Sequence, residues 1–237
     1  YLSTRFKLAS ANNDRDHYSA LLNSYTLSDK STDYYNELLD VYIEYFFSDA
    51  QSLTSKNRGL TQKMEKSSFP NKSSEELVSI FNAKYPVSTP VSDLRLALAN
   101  KSYTEGLSKY AEYSAYGLVG GEDEKIVNLR RDYNEIITCL YAKADIMANY
   151  YGNSKDEISN YLTGYGIRNA DKQTDIYNHV LNNPGDYAST GIGFLEYTDL
   201  ARKAKLLKGD NFKVDDFNNF IVNVGPLSYE DIETRLS

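Results

Sequence analysis

The chain has 237 residues, with 41% apolar and 25% charged side chains, the composition of a globular protein long enough to bury a core. Its formal net charge of -7 argues against a nucleic-acid-binding surface, which needs clustered Lys and Arg to neutralise phosphates. No apolar run approaches the roughly 18 to 20 residues of a membrane span, and a single cysteine, Cys139, excludes an intrachain disulfide or a Cys-rich zinc cluster.

The first residue is Tyr1 and not Met; a removed signal sequence would make the protein extracytoplasmic, secreted or surface-anchored. Residues 1–30 read as a lead-in or linker with one short helix around Asp16 to Ser24, and 31–237 as a single helical domain. From Thr32 to Gln51, apolar residues recur at Tyr35, Leu38, Leu39, Tyr42, Ile43, Phe46 and Phe47, the spacing of an amphipathic helix. Ser52 to Lys72 is weakly patterned. Ser73 with Glu76 forms a capping box before Leu77, Ile80 and Phe81, and Ser92 to Ala99 reads as a short helix beyond Pro86 and Pro90.

Thr104 to Tyr116 is helical by spacing and is ended by Gly117, Gly120 and Gly121. Glu122 to Tyr151 carries the longest apolar stripe, Ile126, Leu129, Tyr133, Ile136, Ile137, Leu140, Tyr141, Ala144 and Ala148, and predicts a buried central helix. Ser154 with Glu157 starts a helix that ends at Gly164, and Asp171 to Leu181 is stopped by Asn183-Pro184. Tyr187 to Leu207 follows, with Gly191 and Gly193 inside it; close helix packing would compensate their cost. Asp215 to Asn223 and Ser228 to Leu236 close the chain. With no period-two segment, the fold class is all-α.

Chemistry-bearing residues are few. His17 and His179 are the two histidines, and neither has the i, i+4 partner of a zinc-peptidase helix. Asp175 and His179 can share a helix face as an ion pair. Cys139 sits in an apolar helical run and reads as a buried small hydrophobe. Glu105 and Glu112, seven residues apart, fall on one helix face, either as an acid-base pair or as a solvated stripe. The basic stretch Lys203 to Lys208 ends a predicted helix, where it complements the dipole.

One resemblance organises these features. YTEGLSKYAE, ADIMANYYG, NNPGDY, GIGFLEY and FKVDDFNNFIVNVGPL, between Tyr103 and Leu236, resemble in order and spacing the bacterial family catalogued as domain of unknown function 885, helical zinc-metallopeptidase-like (zincin-related) proteins. Tyr103, Thr104, Glu105, Gly106, Tyr110 and Glu112 match its YTEGWAxYxE motif; Asp145, Ile146, Tyr150 and Gly152 match DIGIHYxGW, with Asn149 in place of the histidine. Pro184, Gly185, Tyr187, Ile192, Gly193, Leu195 and Glu196 match the tail, followed by Phe212, Phe217, Gly225 and Pro226, and Asn218 replaces the histidine of FH.

The family's HEGYPGH motif aligns best with Lys66, Ser67, Ser68, Phe69, Pro70, Asn71 and Lys72, so both histidine ligands become lysines and the water-activating glutamate becomes Ser67. Lysine ammonium groups repel zinc at neutral pH. The resemblance therefore implies a peptidase-like protein without catalytic residues, metal or cofactor. It would bind a peptide or cell-surface protein through the former substrate cleft, with Tyr103, Glu105, Tyr110, Glu112 and Asn149 as candidate contacts and Tyr113 beside them; the rings can equally be core. Two alternatives are a hydrolase completed by residues N-terminal to this chain or by carboxylates, and a structural module of a larger surface protein.

Overall fold

A computed structural model of the protein describes residues 30–88, 91, 92, 95, 99 and 101–236. Among the described residues there are ten α-helices, one 3-10 turn and no strand, as expected for an all-α protein. The expected lead-in and its helix around Asp16 to Ser24, and most of Ser92 to Ala99, lie outside the described residues. No helix among the described residues is long and apolar enough to cross a membrane.

The chain forms two compact units, each drawn from two stretches of sequence. The first comprises the described residues up to Pro70 and Gly121–Ile192. It contains α1 (Thr32–Lys56), α2 (Leu60–Lys66), α5 (Glu124–Asn149), α6 (Lys155–Gly164), α7 (Ala170–Asn182) and the start of α8 (Asp186–Lys208). The second comprises Asn71–Gly120 and the residues from Gly193 onward, with α3 (Ser74–Lys84), α4 (Lys101–Val119), the rest of α8, α9 (Val214–Val224) and α10 (Tyr229–Leu236).

In the first unit α5 is the axis, packed by α1, α2, α6 and α7. The predicted stripe of α1 is its core face: Leu38, Leu39, Tyr42, Ile43, Phe46 and Phe47 are all buried. The helix runs past Gln51 because the Thr54 hydroxyl bonds back to the Ala50 carbonyl at 2.9 Å and Asn57 Nδ2 to the Leu53 carbonyl at 2.8 Å, closing polar turns without apolar support. The stripe of α5 differs from expectation. Tyr133, Ile137, Tyr141 and Ala148 are only half-buried, whereas Asp132, Glu135, Cys139, Lys143 and Asp145 are buried. Helices on several sides of α5 cover its polar positions as well, and Lys143 is held there by the Asp40 carboxylate and the Asn36 carbonyl.

The weakly patterned stretch after Gln51 contains one helix that periodicity did not reveal. Helix α2 has seven residues and buries only Leu60 and Met64, too few positions to show a period. Both predicted capping boxes form: Ser73 accepts from the Glu76 amide while the Glu76 carboxylate accepts from the Ser73 amide, and Ser154 with Glu157 does the same.

The second unit is built on aromatic packing. Helix α3 lies along α4 and buries Leu77 and Phe81. Tyr110 has its ring edge-on to Phe81 at 6.4 Å and to Phe217 at 6.2 Å, and Tyr113 meets Phe194 edge-on at 5.3 Å. Such pairs orient a core more sharply than aliphatic contacts do.

Candidate functional site

The YTEG helix and the GIGFLEY helix meet at two glycines. A methyl group on Gly106 would lie 2.3 Å from the Gly193 carbonyl carbon, and one on Gly193 would lie 2.0 Å from the Ser102 carbonyl oxygen. The backbones of α4 and α8 thus touch, which brings Tyr103 and Tyr110 against Tyr197 at 6.0 Å each. Burial raises the Tyr103 and Tyr197 hydroxyl pKa values above the ordinary phenol.

These contacts place the sequence-predicted residues of α4. Tyr103 and Tyr110 are 6% and 8% exposed, so they serve as core rings in this unit, as does Tyr113. The Tyr110 hydroxyl donates to Asn218 Oδ1 at 3.0 Å in the interior, joining the YTEGLSKYAE segment to the FKVDDFNNFIVNVGPL segment. Glu105 is exposed. Glu112 is buried and ion-paired with Lys109 at 2.7 Å. The two glutamates therefore share a helix face in register but not an environment, and the expected acid-base pair or solvated stripe does not form.

Asn149 belongs to the first unit. Its Nδ2 donates to Asp145 Oδ1 at 2.7 Å and to the Val180 carbonyl at 3.0 Å. Asp145, 1% exposed, also accepts from the Gly185 amide and the Ala188 amide, each at 3.0 Å. Its carboxylate thus satisfies free N–H groups near the start of α8, where the helix dipole favours an anion. This ties ADIMANYYG to NNPGDY. Asp145→Asn would turn an amide NH₂ toward these donors and is expected to cost about 2 kcal/mol, measurable by urea denaturation.

The stretch expected to align with HEGYPGH starts at Lys66, the last residue of α2, and continues as a loop. Lys66 and Lys72 are both exposed, and residues 67–73 are not helical, so they cannot present two side chains from one helical turn. The Ser67 hydroxyl donates to the Glu122 carboxylate and accepts from the Phe69 amide at 3.1 Å, and Arg130 Nη2 donates to the Met64 carbonyl at 2.6 Å. Asn71 has φ +47°, the left-handed region that Gly and Asn enter most readily.

Other sequence candidates resolve simply. His179 pairs with Asp186, Nε2 to Oδ2 at 2.8 Å, and stacks on Tyr187 at 4.2 Å; its carboxylate partner is Asp186 and not the expected Asp175, because the loop at Gly185 brings α8 back onto α7. His17 lies outside the described residues. Cys139 is fully buried, and burial, with Glu135 nearby, pushes its thiol pKa well up, which suppresses the reactive thiolate. Lys203 pairs with Asp199 at 3.2 Å and Glu233 at 2.7 Å, while Lys205 and Lys208 occupy the last turn of α8, where cations complement the dipole. Among the described residues, no three His, Cys, Asp or Glu side chains converge as a metal site.

Sequence reasoning missed a pocket of ≈ 590 Å³ in the first unit, lined by Tyr133 and Ile137 of α5, Tyr165, Ile167 and Asn169 of the α6–α7 connection, and Asp171, Lys172 and Asp175 of α7. The sequence signal for it is Asp171 and Asp175 at i, i+4, which the apparent pairing of Asp175 with His179 obscures. A second pocket of ≈ 620 Å³ lies at the α1–α2 turn and is lined mainly by polar residues, among them Gln51, Thr54, Asn57 and Gln62.

No family model matches the chain, and no curated protein matches it. Among solved structures, the chain is similar to that described as "the putative lipoprotein from Colwellia psychrerythraea", with a TM-score of 0.51 and 19% identity. The match covers 68% of this chain and 27% of that one. At this identity the likeness shows a related helical fold, and this chain corresponds to a minor part of the longer protein.

Proposed function

We propose that the chain is a catalytically inactive member of the domain of unknown function 885 family: a helical, peptidase-like fold that binds a peptide or a surface partner and hydrolyses nothing. The fate of the two asparagines at histidine positions carries this reading. Asn218 accepts a buried hydrogen bond from Tyr110, and Asn149 spans Asp145 and the Val180 carbonyl. Both amides serve the fold, in motifs whose other members, Gly106, Gly193 and Asp145, also hold helices together.

The residues at the family's ligand positions do not fit a zinc ion. Lys66 and Lys72 are exposed cations, and an amide is a poor substitute for imidazole. The aligned loop itself is supported by Asn71, whose positive φ suits the glycine of HEGYPGH. Of the proposed contacts, Glu105 in the second unit and Asn149 in the first are each exposed, whereas Tyr103, Tyr110 and Glu112 are buried. The lipoprotein description of the structural neighbour supports an extracytoplasmic, surface-anchored location.

The test is elemental analysis of the purified chain after equilibration with zinc and desalting, together with a peptide-hydrolysis assay. The expected result is no stoichiometric zinc and no hydrolysis. Stoichiometric zinc, or hydrolysis that a chelator abolishes, would sink the reading.

A further inference from the structure

The pocket between α5 and α7 grades from apolar to acidic. Ile167 is buried, Tyr133, Ile137 and Tyr165 are half-buried, and Asp171 and Asp175 are exposed, so the apolar lining lies deeper and the carboxylates stand toward solvent. Asp171 and Asp175 are one helical turn apart on α7, which sets their β-carbons about 5–6 Å apart. Lys172 also lines the pocket and offsets one of the two negative charges, leaving room for a single positive charge in a guest.

We infer that this pocket binds a lysine or arginine side chain of a peptide. Such a side chain has the matching profile: an apolar stem that lies on Ile137 and Ile167, and a cationic head that stays near water. Tyr133 and Tyr165 also line the pocket, where aromatic rings attract a nearby cation, and Asp171 and Asp175 supply the counter-charge. A volume of ≈ 590 Å³ falls within the usual range of ligand pockets, about 300–1,000 Å³, enough for one long side chain and part of its neighbours. A carboxylate guest would meet Asp171 and Asp175 with repulsion. The site stands on this pocket alone and does not depend on the absence of zinc proposed above.

The experiment is calorimetric titration of the whole chain with acetyl-Leu-Arg-Leu-amide, with acetyl-Leu-Glu-Leu-amide as control. Saturable binding of the basic peptide and none of the acidic one is expected. The affinity should fall as salt is raised from about 50 to about 500 mM, because the carboxylates are exposed and screened. D171N/D175N should weaken binding about fivefold to tenfold with an unchanged thermal melt. No saturable binding of the basic peptide, equal binding of the acidic one, or an unchanged affinity in folded D171N/D175N would each overturn the proposal. Should that variant fail to fold, the peptide comparison and the salt dependence of the wild-type chain decide it.

Discussion

Gly193→Ala is expected to destabilise the chain by about 3 kcal/mol or more, the upper end of the cost of overpacking a tight contact. The added methyl group would fall 2.0 Å from the Ser102 carbonyl oxygen and 2.8 Å from Gly106 Cα. Both are backbone atoms, so no side chain can swing aside, and α4 and α8 would have to separate along their length. That separation would strip packing from Tyr103, Tyr110 and Tyr197 together. Gly117→Ala is the control: Gly117 also lies within α4, but a methyl group there meets nothing within 4 Å. It should stabilise by about 0.5–1 kcal/mol through helix propensity and a less flexible unfolded chain. Urea denaturation of both variants checks the pair, and equal effects would refute the tight crossing.

The second large effect is electrostatic. Glu135 on α5 is 9% exposed, and its pKa is raised to about 7, chiefly by burial, with Arg131 at 3.8 Å lowering it and Asp49 raising it. The unfolded chain ionises this carboxyl near 4.5 and the folded chain near 7, so between these values the folded state holds a proton that the unfolded state has lost. Stability from this group is full below about pH 4.5 and is lost as pH rises through 7. A shift of this size corresponds to about 3 kcal/mol. Glu135→Gln removes the ionisation while keeping shape. It should match the wild type near pH 4 and exceed it by up to about 3 kcal/mol at pH 8, read from chemical denaturation at each pH. A difference between E135Q and the wild type that stays constant from pH 4 to 8 would exclude a raised Glu135 pKa.

The sequence made the helices legible because their determinants are local. Ser73 with Glu76 and Ser154 with Glu157 mark helix starts through hydrogen bonds spanning three residues, and α1 shows its core face because only one side of it is apolar. Helix α2 was invisible for the same reason in reverse: seven residues with two buried positions give no period to read. The stripe of α5 was misplaced in part because a helix covered on several sides buries polar positions that no apolar pattern marks.

The candidate site was less legible than the fold. Spacing placed Glu105 and Glu112 on one face, but whether each meets solvent depends on what packs over it, and Glu112 is buried while Glu105 is exposed. Tyr103 and Tyr110 could be read as contacts or as core, and burial assigns them to the core. The pocket beside α7 draws on residues from Tyr133 to Asp175, and no motif spans them.

By itself, the sequence determined the all-α class, the helix boundaries to within a few residues at most sites, and the need for close packing at Gly191 and Gly193, since propensity, capping and periodicity act over a few residues. The tertiary structure alone decided which partners those positions serve: Gly193 against Ser102 and Gly106, Asp145 on the Gly185 and Ala188 amides, Asn218 beneath Tyr110, His179 on Asp186. These pairings join residues from 7 to 108 positions apart, and such contacts are fixed by how whole helices pack, which no local pattern encodes.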